Sequence, residues 1–230
     1  MLALINEKIS QEFENKTGIR TVALKPYRQL DLPVSSHADM LLCVIEDRVF
    51  CYKDYALENA LVSKLSGAGF KAVFVSKECG KQYPCDIGLN VLIMGKTLFC
   101  NSKHTAKEII DFATQSGYEI VNVKQGYAAC STLVLNENCA ITSDMSIASA
   151  IKQVGKEAIL IDNSKIRLDG YNCGFIGGAS GVLGEDVFVF GEIKTLVNGE
   201  KIAEKIHSLG YNIIPILSGE VCDFGGIKFI

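Results

Sequence analysis

The 230-residue sequence contains no tryptophan, only four prolines and only three histidines. Chemistry that needs an imidazole is therefore confined to His37, His104 and His207. No apolar run approaches the ~18 residues of a membrane-spanning helix, so neither a helical membrane protein nor a membrane partner is expected. There is no basic excess either. With 23 Lys+Arg against 26 Asp+Glu, the net charge is −3 and the isoelectric point is about 5.7, which argues against nucleic acid as a partner. The amino-terminal stretch MLALINEKISQEFENK lacks a basic region and turns charged at Glu7, so it does not read as a secretory signal. No CxxC pair occurs, and Cys79 and Cys85 have no second pair at zinc-site spacing, so no metal and no cofactor is expected. The nine cysteines are odd in number and sit mostly in or beside apolar strands. Reduced thiols and a cytoplasmic location are the expectation.

What the chain does have is 48% hydrophobic residues, enough for a sizeable core, and a repeated pattern. In Ser36–Asp54 an apolar strand from Met40 to Ile45 breaks at Glu46-Asp47-Arg48 and resumes at Val49–Tyr52, a hairpin signal. Leu57, Leu61 and Leu65 then recur at helical spacing behind Asp54 as N-cap, and Lys71–Val75 returns as a strand. The unit is strand, strand, helix, strand.

It recurs with turns at Asp47, Gly95, Glu137 and Glu185, which lie 48, 42 and 48 residues apart. The second copy carries Thr105 and Glu108 at capping-box spacing, the third Asp144 as an N-cap, and the fourth a helix after Asn198 with Ile202, Ile206 and Leu209 on one face. Two remnants complement each other. Residues 3 to 17 read as a helix with Leu4, Ile5, Ile9 and Phe13 on one face, followed by a strand at Ile19–Leu24, while Ile227–Ile230 is a strand with no helix after it. Together they predict a fifth unit split across the termini, closing a ring without exposed sheet edges. The expected architecture is α/β, a single domain of five ββαβ modules at about 36–78, 79–125, 126–168, 169–217, and 218–230 with 1–31, closed by pairing of the N- and C-terminal segments.

In such a ring the residues before the first strand of each module face each other. Counting back about eight residues from each turn gives Asp39, Asp86 or Ile87, Cys130 and Gly177, and the fifth module offers Cys222, Asp223, Gly225 and Gly226. His37 precedes Asp39 by two residues and is expected on the same side. Carboxylates in fork geometry hold a planar guanidinium or amidinium, a thiolate attacks its central carbon, and a histidine moves the proton to the leaving amine. The stretch FIGGASGVLG, Phe175 to Gly184, imitates a dinucleotide-binding turn but leads into a strand and no helix, so nucleotide binding is rejected. Its glycines, Gly177 and Gly178 among them, instead let the backbone pass close to the axis or to a ligand.

The five modules and His37-Ala38-Asp39 resemble the penteins, the α/β propellers of guanidine-modifying enzymes, which carry a His-x-Asp motif. Those enzymes end in a glycine-rich turn followed by isoleucine, histidine and the nucleophilic cysteine. Here the letters are Gly225-Gly226-Ile227-Lys228-Phe229, so the resemblance is to members lacking that cysteine. It implies a hydrolase of the deiminase kind or an amidinotransferase acting on an arginine-like small molecule. Cys130 is the first candidate nucleophile and Cys222 the second, His37 the acid/base, and Asp39 and Asp86 the cation holders. The alternative is a non-catalytic member binding a small molecule or a protein at the ring axis. The oligomeric state is left open.

Overall fold

A computed structural model describes all residues, 1–230. Five three-stranded sheets surround one axis. In each, the first strand pairs antiparallel with the second and the second pairs parallel with the third.

The split sheet consists of β1 (Ala3–Asn6), β2 (Thr21–Leu24) and β15 (Ile227–Phe229), with α1 (Glu7–Thr17) as its crossover. The helix expected over 3–17 thus starts only at Glu7. Asn6 caps it by accepting from the Lys8 amide, and residues 3–6 are the missing second strand, held between β15 and β2.

The next sheet contains β3 (Leu42–Ile45), β4 (Arg48–Tyr52) and β5 (Lys71–Val75), preceded by the short α2 (Ala38–Leu41) and crossed by α3 (Lys53–Glu58) and α4 (Leu61–Gly67). One continuous helix through Leu57, Leu61 and Leu65 was the expectation. Ala60 interrupts it in the left-handed conformation, so Leu57 is 58% exposed while Leu61 and Leu65 are buried. Asp54 does not cap. Tyr52 holds the N-cap position, and the Asp54 carboxylate accepts from the Tyr27 hydroxyl.

The third sheet comprises β6 (Leu92–Met94), β7 (Thr97–Cys100) and β8 (Glu119–Asn122), with α5 (Lys107–Gln115). Its expected capping box does not form. The N-cap is Ala106, and Glu108 instead accepts from the Ser76 amide. The fourth has β9 (Thr132–Asn136), β10 (Cys139–Thr142) and β11 (Glu157–Leu160) with α6 (Met145–Gln153), where Asp144 does cap, accepting from the Ser146 and Ile147 amides. The fifth has β12 (Ser180–Leu183), β13 (Asp186–Val189) and β14 (Asn212–Pro215) with α7 (Gly199–Ser208). The glycine-rich stretch before it runs through a turn into β12 and opens no helix.

The terminal segments pair as expected, with Leu2 and Ile230 exchanging backbone hydrogen bonds of 2.8 and 2.9 Å. The sheets themselves are not hydrogen-bonded into a closed ring, so each keeps its edges. Apolar packing between neighbouring modules holds them together. Phe99 of β7 clusters with Ile147 and Ile151 of α6, and Phe13 of α1 meets Phe188 of β13 edge-to-face at 5.3 Å. Such an aromatic pair adds about 0.5–1.5 kcal/mol beyond its burial.

Candidate functional site

The residue two before the first strand is Met40, Asn90, Cys130, Gly178 or Gly225, according to the module. At this level hydrogen bonds link every adjacent pair of modules. Asn90 Nδ2 donates to the Asp39 carbonyl at 3.0 Å, and Asn90 Oδ1 accepts from the Ala129 amide at 2.8 Å. The Gly178 amide donates to the Cys130 carbonyl, the Gly226 amide to the Gly178 carbonyl, and the Asp39 amide to the Gly225 carbonyl. The ring that the sheets leave open is closed here, by turns.

On this layer rests a cavity of about 280 Å³ whose walls include His37, Asp86, Cys130, Asp223, Tyr127 and Phe175. His37 does not begin a strand, as its sequence position suggested. It holds the N-cap position of α2, and Asp39 lies in that helical turn. The imidazole Nδ1 is 3.6 Å from Asp223 Oδ1 and 4.0 Å from Asp39 Oδ1, all three side chains being buried. Asp223 is fixed by the Phe175 amide on Oδ2 at 2.8 Å and by the Gly225 amide on Oδ1 at 2.9 Å.

Two glycines are dictated by this packing. A methyl group at Gly178 would overlap the Asp223 carboxylate, and one at Gly225, where φ is +85°, would overlap His37. Burial, reinforced by the charge of Asp223 and opposed by His37, pushes Asp39 up to about 6. Burial also raises Asp223, against the attraction of His37. Neither oxygen of Asp39 has a hydrogen-bond partner.

Asp86 approaches from the loop before β6. Its Oδ2 accepts from the Tyr127 hydroxyl at 2.6 Å, while Oδ1 is buried without a partner. Burial lifts its carboxyl, with the Tyr127 hydrogen bond in opposition. Cys130 is 5% exposed, and Asn90 Nδ2 donates to its sulfur at 2.8 Å. Burial first, then the charges of Asp39 and Asp223, hold its thiol well above the ordinary range. The resting thiol is therefore neutral near pH 7.

Of the residues expected from sequence, His37, Asp86, Cys130 and Asp223 line this one cavity, and Asp39 stands directly behind His37. Gly178, Gly225 and Gly226 belong to the supporting layer. Gly177 borders a separate axial cavity of about 210 Å³ beyond that layer, which Lys228 also lines. Cys222 does not line the site cavity. Its Sγ lies 3.6 Å from the Glu220 carbonyl, because Cys222 and Asp223, as successive residues of one extended segment, point to opposite sides.

The residues that sequence reasoning missed are Asn90, Tyr127, Phe175 and Cys173. Asn90 had a signal: counting back from the start of β6 reaches it, whereas counting back eight from Gly95 passes over it. Cys173, half-buried on the same cavity, had none.

Residues 4–228 match a protein family described as a family of unknown function, DUF6873. No curated protein matches the chain in sequence. Among solved structures, it is similar to DDAH from Pseudomonas aeruginosa, a cysteine-to-serine mutant complexed with citrulline. The identity is 11% and the TM-score 0.55, covering 93% of this chain and 91% of that one. A C. jejuni agmatine deiminase is similar at 13% identity and TM-score 0.53, over 94% and 75% of the two chains. SxtG, an amidinotransferase from Microseira wollei in the saxitoxin pathway, gives 12% and 0.56, over 94% and 73%. At such identities the likeness is one of fold, and the fold is that of the penteins.

Proposed function

The chain belongs to the family of unknown function DUF6873 and has the pentein fold, and from that premise we propose that it acts on a guanidino or amidino small molecule, hydrolysing it or transferring its amidino group, with Cys130 as nucleophile. The observation that carries this reading is Asp86 Oδ1, a buried acceptor without a donor on the wall of a cavity shared with His37, Cys130 and Asp223. Leaving such an acceptor unpaired costs about 1–3 kcal/mol, more when it is charged. A planar cation supplies the missing donors in fork geometry. The similarity to enzymes described as a deiminase and an amidinotransferase supports the same class of substrate.

The bound cation also answers the raised thiol. Its positive charge offsets Asp39 and Asp223, which lowers the energy of the Cys130 thiolate once substrate is present. Cys130 passes its proton to His37, whose Nδ1 side faces the two carboxylates, and the sulfur forms a bond to the central carbon. The C–N bond to the leaving amine breaks as His37 returns the proton to that nitrogen. Water, or an acceptor amine in a transferase, then displaces the sulfur and restores the thiol. Replacing Cys130 by alanine is expected to remove turnover of an arginine-like guanidine, followed by amine release, while binding stays within about threefold. Undiminished turnover ends the assignment.

A second reading, a non-catalytic ligand-binding member, is favoured by Phe229. In the position where the resembling enzymes carry their cysteine, its ring packs at 5.7 Å from Phe188 and 6.2 Å from Phe13. Binding of a guanidinium without turnover by the unmodified protein is the result that selects it.

A further inference from the structure

We propose that the axial cavity beyond the turn layer is a second binding site, for a short aliphatic carboxylate whose head is held by Lys228. The first strands of all five sheets, β3, β6, β9, β12 and β15, line this cavity of about 210 Å³. Each brings one half-buried residue to the same register position, opposite the second residue of the strand it pairs with. These residues are Val44, Ile93, Val134, Val182 and Lys228. Four of the five equivalent positions are therefore β-branched and aliphatic. The fifth carries an ammonium.

Nothing in the protein neutralises that charge. Lys228 takes part in none of the ion pairs, and no aspartate or glutamate lines the cavity. The Cys43 thiol on the same wall is held up to about 12 by burial, with the Lys228 charge opposing, so it stays neutral and supplies no counter-charge. Two hydroxyls on the wall already have acceptors: Thr132 donates to the Thr142 hydroxyl and Ser180 to the Ile176 carbonyl. An anion that reaches the half-buried ammonium makes a charge-assisted hydrogen bond there. A bare inorganic anion gains nothing from the four aliphatic residues, whereas an alkyl tail buries against them. The volume is below the roughly 300–1,000 Å³ of sites for drug-sized ligands, so the tail is short. Such a ligand differs in charge and place from the guanidinium of the site cavity, and neither binding event requires the other.

Titration of the full chain with acetate, propionate, butyrate, butylamine and inorganic phosphate, followed by ¹H–¹⁵N NMR, tests this. Affinity is expected to rise about fourfold with each methylene from acetate to butyrate, with shifts centred on the amides of the five ring residues. Butylamine and phosphate should each bind at least about tenfold more weakly than butyrate, the first lacking the charge and the second the tail. Lys228→Met should weaken butyrate about tenfold or more, and Lys228→Arg, which keeps the charge, by less than about threefold. The site is overturned if butyrate does not bind, if butylamine or phosphate binds as tightly, if Lys228→Met changes nothing, or if the shifts centre on Asp86 and Cys130. Should Lys228→Met lose the dispersed spectrum of the folded chain, the comparison of butyrate with butylamine and the Lys228→Arg variant decide by the same limits.

Discussion

Asp39 is 2% exposed, and neither of its carboxylate oxygens meets a hydrogen-bond donor. Its carboxyl is pushed from 3.8 up to about 6, chiefly by burial and with the charge of Asp223 adding, against the opposing attraction of His37. Between those two values the folded chain keeps a proton that the unfolded chain has lost. The unfolded state thus binds fewer protons, and stability contributed by this group falls as pH rises through the window. Asp39→Asn, which keeps the shape without the ionisation, should flatten that fall, read from urea midpoints at about pH 4.5 and 7. An unchanged slope would mean that Asp39 ionises as an ordinary carboxylate. Its candidacy was legible from its place before a strand and its distance of two residues from His37. Its missing partners were not, because hydrogen-bond satisfaction depends on which other chain segments arrive at the same point.

At the scale of elements, local signals succeeded where a side chain acts on its own neighbourhood. Asp144 caps α6 through two amides within three residues, so Asp144→Ala is expected to destabilise the protein by about 1 kcal/mol in urea unfolding. A loss below a few tenths would show that the cap contributes nothing. The failures were of two kinds. Leu4 and Ile5 fall on the same helical stripe as Ile9 and Phe13, and a four-residue strand has no period of its own to contradict that. Only the position of β1 between β15 and β2 makes it a strand. Thr105 and Glu108 had capping-box spacing, but α5 begins at Lys107, and Glu108 is drawn to the Ser76 amide of another module. In both cases a tertiary partner overrode a local preference of well under a few kcal/mol.

For the molecule as a whole, Asn90 is the side chain on which three modules converge. One amide group serves the Asp39 carbonyl, the Ala129 amide and the Cys130 sulfur. Asn90→Leu leaves a buried carbonyl and buried amides unpaired, and a loss of about 3 kcal/mol is expected from the denaturation midpoint. A loss below about 1 kcal/mol would show that apolar packing, and not this hydrogen-bonded layer, holds the modules in register. The ring is thus sealed at one level by hydrogen bonds between turns and elsewhere by side-chain packing between separate sheets.

Repetition along the chain was enough to establish five strand-strand-helix-strand units, one of them split across the termini, because each hairpin turn interrupts the apolar pattern at a similar interval and turn chemistry is local. The same repetition brought His37, Asp86, Cys130 and Asp223 under consideration together. Which thiol faces the cavity, that Cys222 turns away, that Asn90 stitches the layer beneath it, and that one oxygen of Asp86 remains unpaired all followed from the packing of modules against each other. Those facts concern direction and distance between segments far apart in sequence, and a linear pattern carries no information about either until the chain has closed.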